Sequence, residues 1–203
     1  MIPRPPAALF ETFDPIFMPS PELAEWVKET FITPGGHLEN PVHAHLEQIN
    51  LAFLWTTAEN CKQGRRVIGQ AQLLPPTGEK WSAARAAQQL VKWFNGMPEA
   101  LITIDANAVQ TMDDWQVCAL LEHEMCHIGQ KKDAFGDPIF DRETGKPLLT
   151  MVAHDVSEFV NVVQRYGATS PELSAMVEAV NRGPSIAATN IARACGVCLR
   201  IAK

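Results

Sequence analysis

The stretch DWQVCALLEHEMCHIGQ, residues 114–130, decides how the rest of the chain is read. Within it His123, Glu124 and His127 form a His-Glu-x-x-His pattern. On a helix, two histidines four residues apart project from one face about a turn apart, close enough to bind a single ion, and the glutamate beside the first reaches a water on that ion. That is the geometry of a zinc hydrolase with Glu124 as its base. A pattern of three fixed letters also arises by chance in amphipathic helices with two solvated histidines, so the flanking residues have to decide. Thr111 and Asp114 fit a capping box, and Asp113 adds negative charge in the first turn. Trp115, Val117, Cys118, Leu120, Leu121, Met125 and Ile128 put apolar surface on more than one side, which predicts a largely buried helix. Two imidazoles and a carboxylate in a buried helix need partners, and a metal with its water satisfies all three together.

Upstream, ALITIDA (100–106) is the clearest strand, and it delivers the chain directly to the motif helix. A strand in that place is a candidate edge against which an extended substrate pairs. RVIGQAQLL (66–74) reads as a second strand with Gly69 as a bulge, ended by Pro75-Pro76-Thr77-Gly78. Helices are predicted over 22–32, from about Asn40 or Pro41 to Thr57, and over 82–94. His43 and His45 stand two apart in the second of these and point in different directions, which makes them a poor chelating pair, and His37 precedes that helix. The six prolines between Ile2 and Pro21 predict an irregular arm over 1–20 lying across the domain. Downstream, 131–149 reads as a loop and 156–166 as a helix in which Tyr166 is a core aromatic. A helix from Ser170-Pro171-Glu172 to about Val180 follows, and 185–203 is a terminal helix or tail.

Length bounds the answer to one domain, here 21–184, and a hydrophobic content of 46% is ordinary for a globular one. A formal charge of -6 argues against nonspecific nucleic-acid binding, leaving Lys62, Arg65 and Arg66 as a local basic patch. The amino terminus lacks the pattern of a secretion signal, and no apolar run approaches the roughly 20 residues of a membrane span. Five scattered cysteines fit a reducing compartment, so a cytoplasmic protein without a membrane anchor is expected.

A catalytic zinc site takes three protein ligands and keeps a position for water, so a third ligand is required. Three residues compete. A metzincin pattern would need glycine at 130 and histidine at 133; the chain has Gln130 and Asp133, which leaves only the aspartate variant. Glu158 would serve in a gluzin-like arrangement, and His154 is the only histidine after the motif.

HEMCH, then His154-Asp155-Val156-Ser157-Glu158-Phe159, then Arg165-Tyr166-Gly167 resemble the SprT-like zinc metalloproteases, whose pattern is HExCH, a loop, H-x-x-E-F and a helix ending in glycine. The likeness is closer to the phage metallopeptidases, which have the HD-x-x-EF form. It spans 46–167, including Gly69 and the ALITIDA strand, and its specificity lies in the two histidine motifs taken together. The resemblance implies an α+β, zincin-like single domain, with a small sheet packed against the motif helix and surrounding helices. It also implies one Zn2+ on His123, His127 and His154, with Glu124 as catalytic base. Many SprT-like proteins add a four-cysteine zinc ribbon, whereas this chain offers Cys195 and Cys198 alone, half of a tetrahedral site. The reading that follows is a zinc peptidase of phage or prophage type acting on protein or peptide substrates. The competing readings are a non-catalytic zinc-binding protein and a cell-wall peptide amidase. An intact Glu124 favours catalysis, because a structural clamp needs no base.

Overall fold

The computed structural model describes residues 1–62, 64–156, 158, 160–168 and 170–186. The Cys195 and Cys198 pair and all but the first two residues of segment 185–203 therefore lie outside the described residues. The chain enters through a 3-10 helix, Ala7–Phe10, that buries Leu9, and a strand β1 (Phe17–Pro19). The expected irregular arm thus ends in regular structure, since β1 lies antiparallel on β2 (Leu51–Thr56) with Phe17 opposite Thr56. Between them helix α1 (Pro21–Val27) starts at Ser20, whose Oγ accepts the Leu23 N–H at 3.4 Å, and widens into a π turn over Lys28–Ile32.

The helix expected from about residue 41 to Thr57 is corrected by the structure. A 3-10 helix covers Pro41–Gln48 only, and the chain then becomes β2 in the interior of the sheet. LAFLWT is apolar at almost every position because β2 is covered on both faces, and such a run has no period that separates strand from helix.

A short hairpin of β3 (Cys61–Lys62) and β4 (Arg65–Arg66) leads into β5 (Gly69–Leu73), and β6 (Ala100–Asp105) completes the main sheet. The order is β1-β2-β6-β5, with β2 and β6 parallel and β5 antiparallel to β6. ALITIDA is therefore interior, and the edges are β1 and β5. Gly69 is no bulge, because it sits in unbroken register opposite Ile104.

Each face of the sheet has its own cover, as strand alternation requires. Ala52, Leu54 and Leu101 pack with Leu90 of α2 (Lys80–Phe94), which Asn95 ends in the left-handed region at φ 52°. Phe53, Trp55, Ile102 and Ile104 face the larger core. That core takes Val117, Leu121 and Met125 from α4 (Asp114–Cys126), which follows the single turn α3 (Ala106–Val109). The capping box of α4 lies two residues beyond the expected Thr111 and Asp114 pair. Asp113 Oδ1 accepts the Gln116 N–H at 2.8 Å and Gln116 Oε1 accepts the Asp113 N–H at 3.0 Å, while Asp114 pairs with Arg4 of the arm.

After α4, β7 (Ile128–Gln130) pairs antiparallel with β8 (Leu149–Met151), and the intervening loop folds back on itself through Lys132 opposite Pro138 and Phe140 opposite Pro147. Helix α5 spans Val160–Tyr166 and α6 spans Pro171–Arg182. Among the described residues Val156 and Glu158 are not helical, so His154 lies before α5. Tyr166 is 67% exposed and is not a core aromatic. The chain is a mixed α+β domain with a small sheet and surrounding helices, compatible with a zincin-like metallopeptidase. Among the described residues no helix is long and apolar enough to cross a membrane.

Candidate metal centre

Helix α4 turns its apolar residues inward on two sides, which leaves its last turn to carry polar groups toward the rim of the sheet. His123 stands exposed there, Glu124 is 4% exposed, and His127 forms the carboxyl cap with near-helical backbone angles. The two imidazoles are thus one turn apart, with ring centroids 5.0 Å from each other. The carboxyl end of a helix carries partial negative charge, which favours a cation at this position.

The third imidazole arrives from β8. The Val152 N–H donates to the His127 carbonyl oxygen at 2.9 Å, and the Val152 carbonyl accepts from His127 Nδ1 at 2.7 Å. A carbonyl oxygen only accepts, so Nδ1 carries the proton and Nε2 of His127 presents its lone pair. Two residues on, His154 Nε2 lies 3.2 Å from His123 Nε2. Two donors at 2.0–2.1 Å from one tetrahedral ion stand about 3.3 Å apart, so this pair fits a shared zinc. The donor atoms of His123, His127 and His154 all lie within 4.8 Å of one another, a group that can hold a metal ion. Burial, with the neighbouring His127 and His154, holds the His123 pKa below its ordinary value and keeps that ring neutral, the form that ligates.

Among the described residues this group contains neither Asp133 nor Glu158. Asp133 is used locally, its Oδ1 accepting the N–H groups of Phe135 at 2.8 Å and Asp137 at 3.0 Å. His43 and His45 do not join it either. His43 is fully buried, while His45 Nε2 donates to the Ile128 carbonyl at 2.7 Å and ties the 3-10 helix to the strand after the motif. Asn40 Nδ2 donates to Glu122 Oε1 at 2.6 Å and ties the same segment to α4 itself.

Glu124 lies between the histidines and the edge strand. Burial raises its pKa, opposed by the nearby His127 and by a hydrogen bond from the Ala71 backbone. Gly69 abuts the carboxyl group, where any Cβ would overlap it. Gly129 does the same for β7 and β8, since a Cβ there would come within 2.5 Å of Val152 Cγ2. The sequence offered one signal for the first of these contacts, a glycine inside a strand, which marks either a bulge or a close approach. A cleft of about 490 Å³ opens over the histidines and Glu124, walled by Gly69 to Ala71 of β5 and by Asn60 to Lys62 of the hairpin.

A family model described as Putative phage metallopeptidase matches residues 24–181, most of the chain and the whole of this centre. The chain belongs to this family. No curated protein and no solved structure gives a significant match. Family membership makes the chain a metal-dependent peptidase with a protein or peptide substrate, and the three-histidine group is where a metal fits.

Proposed function

We propose that this phage metallopeptidase uses one zinc ion, held by His123, His127 and His154, with Glu124 as general base. The observation that supports this best is the arrival of His154, from beyond a long hairpin loop, within 3.2 Å of His123 and beside a buried carboxylate. Imidazole is a borderline donor suited to zinc, and three such ligands leave a position open for water or substrate. When bound, the ion supplies Lewis acidity to a water and to the substrate carbonyl. Glu124 takes the proton as the water oxygen bonds to the carbonyl carbon, and returns it to the amine as the C–N bond breaks, yielding a carboxylate and an amine. Its raised pKa brings the carboxylate nearer the range in which one group serves as base and then as acid. The edge position of β5 next to the cleft gives an extended peptide a strand to pair with.

A structural zinc clamp would not need a carboxylate 4% exposed beside its ligands, because burying one without a task is costly. The test is elemental analysis of the purified protein with hydrolysis of a peptide library and of purified cell wall. The expected result is about one zinc per chain and peptide cleavage that a chelator abolishes and added zinc restores. Zinc-loaded protein that cuts neither substrate overturns the proposal, and cleavage of cell wall alone would transfer it to the amidase class.

A further inference from the structure

The solvent-facing stripe of α4 runs Trp115, Ala119, His123 at intervals of four, all exposed, so one helix face continues from the metal centre to an aromatic side chain. Trp115 is 42% exposed in a helix whose other large apolar residues are buried. It borders a second cavity of about 630 Å³, lined by Ile68, Met112, Trp115, Ala119 and Leu120, with Arg66 at its rim. This cavity also reaches His123, Glu124 and His154, so it opens onto the reacting position along the α4 side. The two flanks differ in chemistry. The first cleft presents Asn60, Lys62 and Gln70, whereas the second, outside the metal centre itself, is apolar apart from Arg66 and Gln116.

Arg66 is held in place by a buried partner: its Nε donates to Asp105 Oδ2 at 2.7 Å, and Asp105, 4% exposed, also caps α3 by accepting the Ala108 N–H. That ion pair leaves little net charge at the rim, and the apolar interior favours an uncharged side chain because a lysine or arginine there would lose its hydration without gaining a partner.

We propose that the cavity bounded by Met112, Trp115, Ala119 and Leu120 is the specificity pocket of this peptidase, taking a large apolar or aromatic side chain next to the scissile bond. Trp115 forms its outer wall, Ala119 leaves the space, and the apolar lining disfavours lysine and arginine. This rests on the peptidase reading above, and it names the substrate class: peptides with a bulky uncharged residue flanking the cleaved bond. Apolar pockets discriminate by the surface they bury, about 10- to 200-fold between neighbouring side-chain sizes.

The test uses the zinc-loaded full chain and a set of peptides identical except at one position, occupied by Gly, Ala, Leu, Phe, Trp or Lys. Leu, Phe and Trp are expected to exceed Gly and Lys in kcat/KM by about tenfold or more. Ala119→Trp, which fills the pocket from an exposed helical position, should reverse this order at unchanged zinc content, and Trp115→Ala should weaken the preference for aromatic residues. A flat profile, or a profile that neither variant alters, overturns the pocket while leaving the peptidase intact. If no peptide is cut, the peptidase reading fails separately, and calorimetric binding of the same peptides to zinc-loaded Glu124→Gln judges the pocket. Affinity graded by apolar size and lost on adding Ala119→Trp supports it, and affinity indifferent to the varied side chain or to Ala119→Trp overturns it.

Discussion

Gly69 lies against the carboxyl group of Glu124: a Cβ at position 69 would stand 2.8 Å from Glu124 Cδ and 2.9 Å from Cγ. Strand β5 runs through this point in regular register, so the glycine is there for space. The edge strand and the motif helix thereby hold the carboxylate between them. Gly69→Ala is expected to displace Glu124 and lower turnover about 100-fold, the scale of a roughly 1 Å misplacement, while zinc content stays at the wild-type level. Steady-state kinetics with metal analysis on the same sample checks this, and wild-type turnover by the variant refutes it.

Glu124→Gln keeps the size of the side chain and touches none of the three histidines, so fold and metal should survive. General-base catalysis contributes about 100- to 10,000-fold, and a loss of at least that order is expected in kcat with little change in zinc content. Full turnover by a protease-free preparation of the variant would remove Glu124 from the mechanism.

The motif helix was legible because its signals are local: a His-Glu-x-x-His spacing, a cap and an apolar pattern occupy one continuous stretch. The capping box slipped by two residues, from Thr111 and Asp114 to Asp113 and Gln116, because a glutamine reaches back to the cap N–H as well as an acidic residue does, while Asp114 is taken by Arg4. Segment 51–56 misled for a different reason, since burial on both faces erases the alternation that distinguishes strand from helix. The site depends on contacts between distant segments that leave no local trace. The Val152 carbonyl fixes the tautomer of His127 through a hydrogen bond across β7 and β8, and nothing in either residue type announces it. His154 was named through its motif, whereas its support, the strand before it, begins in a segment read as loop.

His43 makes stability depend on pH. It is fully buried, with neither ring nitrogen hydrogen-bonded, and burial, together with the nearby His45, lowers its pKa from 6.5 to about 4. The folded state resists a proton that the unfolded state accepts, so this contribution is complete above about pH 6.5 and is lost as pH falls toward about 4. At pH 5 the loss is about 2 kcal/mol, from roughly 1.4 kcal/mol for each pH unit below the unfolded pKa. His43→Leu removes the titrating ring, so urea unfolding at pH 7.5 and pH 5 should show the wild type losing about 2 kcal/mol more than the variant. Equal losses in the two proteins would place the effect elsewhere.

In the proposed centre His154 is the third ligand, since its ring joins those of His123 and His127 in one group able to hold an ion. Without it the ion would be held by His123 and His127 alone, one turn apart on α4, and a two-histidine site leaves half of a tetrahedron to solvent. Asp133 offers no replacement, because its Oδ1 already accepts two backbone N–H groups in the loop. Glu158 stands outside the donor group, as Asp133 does. His154→Ala is therefore expected to lose most of its zinc and all hydrolysis, whereas Asp133→Ala and Glu158→Ala keep the metal. Val152 should still hold the His127 ring through its carbonyl, so the His154 variant is expected to fold, and its circular dichroism spectrum should match the wild type. The measurement is zinc content after dialysis against a competing chelator, run on the three variants side by side. Retention of zinc by His154→Ala, with loss from Asp133→Ala or Glu158→Ala, would assign the third ligand to a carboxylate and overturn the three-histidine centre.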